Sequence, residues 1–245
     1  MTTRKVQNPN SKNGSAFIWA IAAVIAIAAL VIGLIIFNGR NQRSEAYQAA
    51  KLDMSGINVE WSEGDDIIHL TGANADAPTG VLFEDFACSY CAELHVDTDE
   101  EMLEALRAGD INVEVRPMVV QDRGAVGHST NGTAAMLALL AHGDVDTAFT
   151  LRDYLYANQR QVFNTLNPDK LAQLAADYGA SKDAQADIRD SKFVDAAKKM
   201  SENNAKYQQD ETGETWTPRV LINGKDAEEV GPSRDEWVKT LADSK

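Results

Sequence analysis

The chain has 245 residues, and 44% of them are hydrophobic, which is enough to bury a sizeable core and too many for a disordered protein. Acidic residues outnumber basic residues by 37 to 23, and the formal charge of -14 leaves no broad basic surface for a nucleic-acid backbone. Two cysteines are too few for a disulfide-stapled scaffold, so their purpose must be local.

The first long apolar stretch is AFIWAIAAVIAIAALVIGLIIF, residues 16–37, which carries no charge. As a helix that rises about 1.5 Å per residue, it would span the roughly 30 Å hydrocarbon core of a bilayer. A cleaved signal peptide is the alternative, but its apolar part is usually about 7 to 15 residues long and ends in small residues. The sequence therefore predicts a transmembrane anchor at 16–37, preceded by a tail at 1–15.

Basic residues near this stretch indicate its orientation. Arg4, Lys5 and Lys12 precede it without an acid, and Arg40 and Arg43 follow it. The excess of bases on the leading side favours a cytoplasmic tail, so the large C-terminal part is predicted to face outward from the cell membrane. Disulfides form and persist in that environment.

A linker, a hairpin and a buried strand are predicted next. Residues 38–56 are polar and lack an apolar stripe, which predicts a juxtamembrane linker. INVEW at 57–61 and DIIHL at 66–70 are rich in β-branched residues and flank a turn-like SEGD, so they predict a hairpin. GVLFEDF at 80–86 predicts a buried strand that leads directly to the cysteines.

A helix should follow the cysteines, and INVEVRPMVV at 111–120 predicts a strand parallel to the preceding one. Between about 125 and 210 the apolar spacing is helical, which predicts an inserted subdomain because strands resume afterwards. TPRVLINGK at 217–225 predicts a hairpin with an Asn-Gly turn. A last helix should begin with a capping box formed by Ser233 and Glu236.

The two cysteines, Cys88 and Cys91, lie three positions apart in FEDFACSYCAELH. A zinc site would need two further ligands, and the chain has no second paired ligand motif. Haem attachment fails because residue 92 is alanine. A structural disulfide over so short a loop would remove little entropy from the unfolded chain, although an inert bridge remains an alternative. We therefore predict no metal and no cofactor.

A redox role explains the placement of the pair better. A strand that ends at Phe86 and a helix that starts near Cys88 put the first sulfur at a helix N-terminus. Unpaired amides and the helix dipole favour a thiolate there, and the thiolate is the attacking species in thiol–disulfide exchange. Cys91, one turn later, would face inward and resolve the mixed disulfide formed by Cys88. The pair is thus predicted to be a catalytic, redox-active disulfide.

FEDFACSYC preceded by DAPTG, together with the later TWTPRVLINGK, resembles the membrane-anchored bacterial branch of the DsbA-like thiol:disulfide oxidoreductases. The resemblance implies an α/β thioredoxin fold with an inserted helical subdomain, in a domain at 57–245. It also implies that the Thr217-Pro218 peptide is cis and packs against the sulfurs, where it shapes a peptide-binding groove. From the residues alone, Pro218 would be an ordinary proline at a strand start.

The residues that we predict to bind substrate are Ser89, Tyr90, Thr217 and Pro218. Many members of the family carry a buried acid six residues before the first cysteine, where it can relay the proton of the second cysteine. Leu82 occupies that position here, so Glu84 is the candidate for the relay. The alternative reading of Glu84 is a solvated acid at a strand end.

No basic residue lies between the cysteines, whereas Glu84, Asp85 and Glu93 are near. Because negative neighbours raise the pKa of a thiol, we predict that Cys88 is less acidic than in the strongest oxidants, with a pKa above about 4.5. His95 lies four residues after Cys91 on the same helix face, and its participation stays open.

Together these observations predict an outward-facing, membrane-anchored thiol:disulfide oxidoreductase. Its expected partners are exported proteins with cysteines, which it would oxidise, and an unidentified redox partner that resets the pair. Reduction or isomerisation on the same scaffold is one alternative. A membrane-tethered binding or chaperone module with an inert disulfide is an alternative from another class. No nucleic acid is expected as a partner.

Overall fold

A six-stranded mixed sheet forms the centre of the part of the chain that the computed structural model describes, residues 50–244. The strands are β1 (Asn58–Glu60), β2 (Ile68–Thr71), β3 (Thr79–Glu84), β4 (Asn112–Pro117), β5 (Arg219–Ile222) and β6 (Lys225–Asp226). They lie in the order β1-β2-β4-β3-β5-β6. β3 pairs parallel with β4, and the other neighbours pair antiparallel.

The strand predictions are confirmed, and the pairing explains their sequences. β3 lies inside the sheet between β4 and β5, which accounts for its unbroken apolar run. The last two strands are joined by Asn223 and Gly224, with φ of 51° and 77°. Positive φ at both central residues is the geometry for which Asn-Gly is favoured in two-residue hairpins.

Helices cover both faces of the sheet. Phe83 of β3 packs against Tyr207 on one face, and the two rings stack with centroids 6.1 Å apart. On the other face a Cβ at Gly80 would lie 2.8 Å from a side-chain carbon of the last helix, so glycine permits close packing there. Leu82 and Glu84 share the face of Gly80, because side chains alternate along a strand.

The helices are α1 (Ser89–Ala108), α2 (His128–Ala141), α3 (Val145–Ala157), α4 (Gln159–Val162), α5 (Pro168–Asp177), α6 (Lys182–Arg189), α7 (Val194–Thr212), α8 (Ala227–Val230) and α9 (Trp237–Ala242).

The helical insertion predicted at about 125–210 corresponds to α2 to α7, residues 128–212. The capping box predicted at Ser233 and Glu236 is wrong. Ser233 precedes a 3₁₀ turn, Arg234–Glu236, its side chain makes no capping hydrogen bond, and α9 begins only at Trp237.

Residues 50–56, the described part of the predicted linker 38–56, contact the domain. The backbone N–H of Leu52 donates to Thr150 Oγ1 (2.9 Å), and that of Met54 donates to Asp146 Oδ1 (3.1 Å). Met54 is also buried. The folded domain thus includes residues before 57, although their polar sequence lacks a strand or helix pattern.

Within residues 50–244, no helix is both long enough and apolar enough to cross a membrane. The predicted anchor at 16–37, the tail at 1–15 and the first part of the predicted linker lie outside the described residues.

Asn204 of α7 is fully buried and connects the helical insertion to the sheet. Its Nδ2 donates to the backbone oxygens of Asp66 (2.9 Å) and Pro117 (3.0 Å). Its Oδ1 accepts from Arg116 Nη1 at 3.2 Å. One amide therefore joins α7 to two other segments, β4 and the residues before β2.

We expect Asn204→Ala to lower the free energy of unfolding by about 3 kcal/mol, because it leaves buried polar groups without partners. The half-buried Asn203 donates to the Asp66 carboxylate, so Asn203→Ala is a matched control with a loss below about 1 kcal/mol. Urea denaturation of the two variants measures both losses, and equal losses would contradict the role of Asn204.

Candidate active site

Cys88 is the N-cap residue of α1, and Cys91 lies in its first turn. The backbone N–H of Cys88 donates to the carbonyl oxygen of Asp85 at 3.0 Å, which forms a tight turn after β3. The carbonyl oxygen of Cys88 accepts from the N–H groups of Cys91 (3.1 Å) and Ala92 (3.2 Å). This strand-to-helix junction points the free N–H groups of the helix start toward the first sulfur, as the sequence predicted.

Both cysteines are free thiols, and both are buried, with Cys88 6% and Cys91 3% exposed. The Thr217-Pro218 peptide bond is cis, as the family resemblance implies. The Cys88 thiol donates to the carbonyl oxygen of Thr217 at 3.3 Å. The Cys91 sulfur accepts from the backbone N–H of Asp85 at 3.4 Å. The cis-proline segment therefore contacts the first sulfur, and the end of β3 contacts the second.

The two sulfurs have opposite pKa shifts. The pKa of Cys88 is lowered to about 6, first because the Cys91 thiol hydrogen-bonds to its sulfur, against the opposing effect of burial. Backbone N–H groups of the first helical turn add to the lowering. Burial raises the pKa of Cys91 well above its ordinary value, and the neighbouring Cys88 raises it further. Near neutral pH, Cys88 is the thiolate and Cys91 the thiol, and the value for Cys88 agrees with the prediction of a pKa above about 4.5.

Asp85 connects the active-site turn to the helical insertion. Its Oδ1 accepts from the backbone N–H of Ala87 (2.9 Å) and from the hydroxyl of Ser129 in α2. Its Oδ2 accepts from the backbone N–H of Gln121 at 3.1 Å. Burial raises the pKa of Asp85, and these hydrogen bonds oppose the rise. The Asp85 side chain thus fixes the turn that carries Cys88.

A buried guanidinium lies on the other side of the cysteines. Arg152 of α3 donates to both carboxylate oxygens of Glu84, from Nε at 2.8 Å and from Nη2 at 2.7 Å. Its Nη1 donates to Asp99 Oδ1 of α1 at 2.6 Å. Burial opposes the charged form of Asp99, but the charges and hydrogen bonds of Arg152 and His95 together outweigh it and lower the pKa of Asp99. Glu84 is therefore a buried, paired acid rather than a solvated one.

Beside Cys91 lies a small cavity large enough for about one water molecule. Its lining residues are Leu82, Glu84, Cys91, Leu94, His95, Thr98, Asp99, Met102, Arg152, Pro218 and Trp237. Leu82 thus occupies the site where the family resemblance implies an acid, and Glu84 reaches the same cavity from one pleat further along β3. The role of Glu84 as a proton relay stays a prediction.

The four residues predicted to bind substrate lie around the first sulfur. Ser89 and Tyr90 are exposed at the start of α1, and Tyr90 is 64% exposed. Thr217 contacts Cys88 through its carbonyl oxygen, and its buried hydroxyl has no hydrogen-bond partner within residues 50–244. The carbonyl oxygen of Pro218 accepts from Arg234 Nη1 at 2.8 Å. The arrangement leaves an accessible edge beside Cys88, while substrate binding by these residues stays a prediction.

Several residues of the site were missed by the sequence reasoning, foremost Arg152. Phe149, Arg152 and Tyr156 have helical spacing, and all three are buried. A charged residue at a core-facing position is the signal that could have identified Arg152. Ser129 carries no comparable signal, because it contacts Asp85 only after the insertion has folded back over the turn. Among residues 50–244, no cluster of three or more His, Cys, Asp or Glu side chains could hold a metal ion.

Comparison with known proteins identifies the family. A family model described as Thioredoxin matches residues 67–243, a range that includes both cysteines and the cis proline. The chain belongs to the thioredoxin family. No curated protein matches it, but solved structures do.

Two similar solved structures are MdbA proteins, each described as a thiol-disulfide oxidoreductase. The one from Corynebacterium diphtheriae is 32% identical with a TM-score of 0.71, covering 78% of this chain and 95% of that chain. The one from Corynebacterium matruchotii is 25% identical with a TM-score of 0.72, covering 82% and 98%. The DsbA of Mycobacterium tuberculosis is 15% identical with a TM-score of 0.53, covering 74% and 99%, and shares the fold. The predicted DsbA-like thioredoxin fold is therefore confirmed.

We expect the thiolate absorbance of the reduced, full-length protein to titrate with a midpoint near pH 6. In Cys91→Ala the midpoint should rise, because the hydrogen bond from the Cys91 thiol is the largest cause of the low pKa of Cys88. Cys88→Ala should remove the transition, since the pKa of Cys91 is raised. A midpoint that does not change in Cys91→Ala would contradict this assignment.

The lowered pKa of Cys88 also makes the free energy of unfolding of the reduced protein depend on pH. The pKa of Cys88 is lower in the folded than in the unfolded state, so its contribution is fully present above the unfolded pKa and is lost as pH falls through about 6. Thermal unfolding of reduced Cys88→Ala provides the reference for this contribution.

Proposed function

We propose that this thiol–disulfide oxidoreductase works as a dithiol oxidase on exported proteins. The observation that carries the proposal is the contrast between the pKa values of the two cysteines, lowered for Cys88 and raised for Cys91. A stabilised Cys88 thiolate favours the reduced form of the enzyme, and an enzyme whose reduced form is stabilised is a strong donor of disulfides. The description of both MdbA proteins as thiol-disulfide oxidoreductases supports the same chemistry.

The reaction proceeds in two exchanges. A client thiolate attacks Cys88 Sγ of the oxidised enzyme, the Cys88–Cys91 bond breaks, and Cys91 leaves and takes up a proton. A second client thiolate then attacks the client sulfur of the mixed disulfide, and Cys88 leaves as a thiolate. The lowered pKa of Cys88 makes it the better leaving group in this second exchange. The client gains a disulfide, and the enzyme holds two electrons until a redox partner reoxidises it.

The surroundings of Cys88 fit an extended client segment. Cys88 is nearly buried, so a client sulfur must enter between the exposed Tyr90 and the cis-proline segment. Thr217 offers a hydroxyl without a partner in the described part of the chain, and Arg234 fixes the carbonyl oxygen of Pro218. We assign Ser89, Tyr90, Thr217 and Pro218 to client binding on this basis.

The uncharged stretch at 16–37 supports a single membrane anchor, and the bases before it support an outward-facing catalytic domain. An extracytoplasmic position would give the enzyme access to proteins during export and would keep the pair away from cytosolic reductants.

Redox titration against glutathione tests the direction of exchange. We expect a reduction potential between the values of about -270 mV for thioredoxin and about -120 mV for a strong oxidant. The intermediate value follows from a Cys88 pKa of about 6. A potential close to that of thioredoxin would instead support the reductase alternative.

Trapping tests the clients and the location together. We expect full-length Cys91→Ala to accumulate mixed disulfides in cells, because Cys88 can still react but nothing resolves the intermediate. The double variant Cys88→Ala/Cys91→Ala is the matched control and should accumulate none. Captured proteins should be exported ones with cysteines, whereas capture of cytosolic proteins alone would contradict the proposed location. Absence of any trapped species would support the chaperone alternative.

A further inference from the structure

His95 lies one helical turn after Cys91 and lines the same cavity. It is only 5% exposed, and its ring packs on Tyr156 with centroids 5.0 Å apart. Its Nε2 lies 3.0 Å from Oδ1 of Asp153, a half-exposed residue of α3. Its Nδ1 lies 3.2 Å from Asp99 Oδ1 but makes no hydrogen bond within residues 50–244. The imidazole thus connects the cavity beside Cys91 to a carboxylate at the surface.

The charges that line the cavity are unbalanced without this histidine. Glu84 and Asp99 contribute two negative charges, and Arg152 contributes one positive charge. An imidazolium at His95 makes the set neutral. Burial alone would lower the pKa of His95, but the charge of Asp99 and the hydrogen bond with Asp153 outweigh it, so the pKa is raised. Geometry and charge therefore both favour a protonated His95 in the resting enzyme.

The Cys91 sulfur needs a proton whenever the disulfide opens. Its pKa is raised well above the ordinary value, so the thiolate is a poor leaving group unless it is protonated. Cys91 is only 3% exposed, so bulk water does not reach its sulfur freely. The water-sized cavity is the space through which a proton can pass.

We propose that His95 is the residue that positions this proton. Its imidazolium supplies a proton to Cys91 through the cavity when the disulfide opens, and its imidazole takes the proton back when the disulfide closes. In the opening step the client sulfur–Cys88 bond forms, and the Cys88–Cys91 bond breaks. Its electron pair goes to Cys91 Sγ, which gains the proton. His95 then regains a proton from solvent on the side of Asp153.

Other groups near His95 are less suited to this role. The groups that face it are Cys91 and Asp99 of α1, Arg152, Asp153 and Tyr156 of α3, and Glu84 of β3 across the cavity. Both oxygens of Glu84 are already bound to Arg152, so protonation would break a charge-assisted hydrogen bond. Burial raises the pKa of Tyr156 well above its ordinary value, which makes it a weak proton donor.

The proposal rests on thiol–disulfide exchange at the pair, and half-reaction kinetics test it in the full-length chain. Oxidised protein is mixed with excess glutathione, and the rate of disulfide opening is divided by the glutathione thiolate concentration at each pH. For the unaltered protein we expect this rate to fall as pH rises and His95 loses its proton. In His95→Gln the rate should be roughly 100-fold lower at acidic pH and should no longer fall with pH.

Two controls separate proton supply from a structural role. His142→Gln removes a histidine that pairs with Asp187 at 2.8 Å in the helical insertion, away from the cavity, and should leave the profile unchanged. In a Cys91→Ala background, attack of Cys88 on a small disulfide requires no Cys91 proton, so His95→Gln should leave that rate unchanged. Asp153→Asn should move the fall in rate to lower pH, because the outer carboxylate raises the pKa of His95.

An unaltered pH profile in folded His95→Gln, or an equal loss in His142→Gln, would overturn the proposal. Asp153→Asn decides the question by itself if His95→Gln does not fold, and an unmoved profile there would also overturn it. Failure of the unaltered protein to react with glutathione would instead disprove the proposed exchange activity.

Discussion

The buried contact of Arg152 with Glu84 and Asp99 joins the three parts of the molecule that meet behind the cysteines. Glu84 ends β3, Asp99 lies on α1, and Arg152 comes from α3 of the helical insertion. Removing one partner from a buried ion pair typically costs about 3–5 kcal/mol, because the remaining charge has no counterion. The insertion therefore cannot move relative to β3 and α1 without a large penalty. This constraint preserves both the position of α1 and the cavity beside Cys91.

Asp85, the residue after Glu84, provides a second connection between the end of β3 and the helical insertion. Its carboxylate binds Ser129 of α2 and the backbone of Gln121, while its own N–H contacts the Cys91 sulfur. Two consecutive acids at the end of β3 thus reach the insertion, one through α3 and the other through α2. Because the turn is fixed on both sides, Cys88 and Cys91 keep distinct surroundings: the first sulfur accepts hydrogen bonds from the Cys91 thiol and from N–H groups of the helix start, and the second is more deeply buried. That asymmetry produces opposite pKa shifts in two chemically identical groups.

The sequence predicted the features that depend on neighbouring residues. The strand before the cysteines, the helix after them, the hairpin at Asn223-Gly224 and the inserted helices all follow from local composition and spacing. The features that it did not predict depend on distant residues: Arg152 contacts Glu84 across 68 positions, and Ser129 contacts Asp85 across 44. The apolar period marks which face of α3 is buried, but it does not say which buried partner a charged residue will meet. For the same reason the sequence alone does not decide whether Glu84 is solvated or functional, because its counterion Arg152 is distant in sequence.

Because position 82 is leucine, this chain lacks the acid that the family resemblance implies there. A lone buried acid beneath the cysteines could take up the proton of the second sulfur itself. In this chain the acid on that face of β3 is Glu84, two residues nearer the cysteines, and both of its oxygens bind Arg152. A carboxylate in that position holds α3 in place, and it cannot accept a proton without weakening the contact on which the fold depends. Among the described residues that line the cavity, His95 alone has a buried polar side-chain atom without a hydrogen bond. Under the proposal for His95, structural support and proton transfer, which one acid could combine, belong to two different side chains.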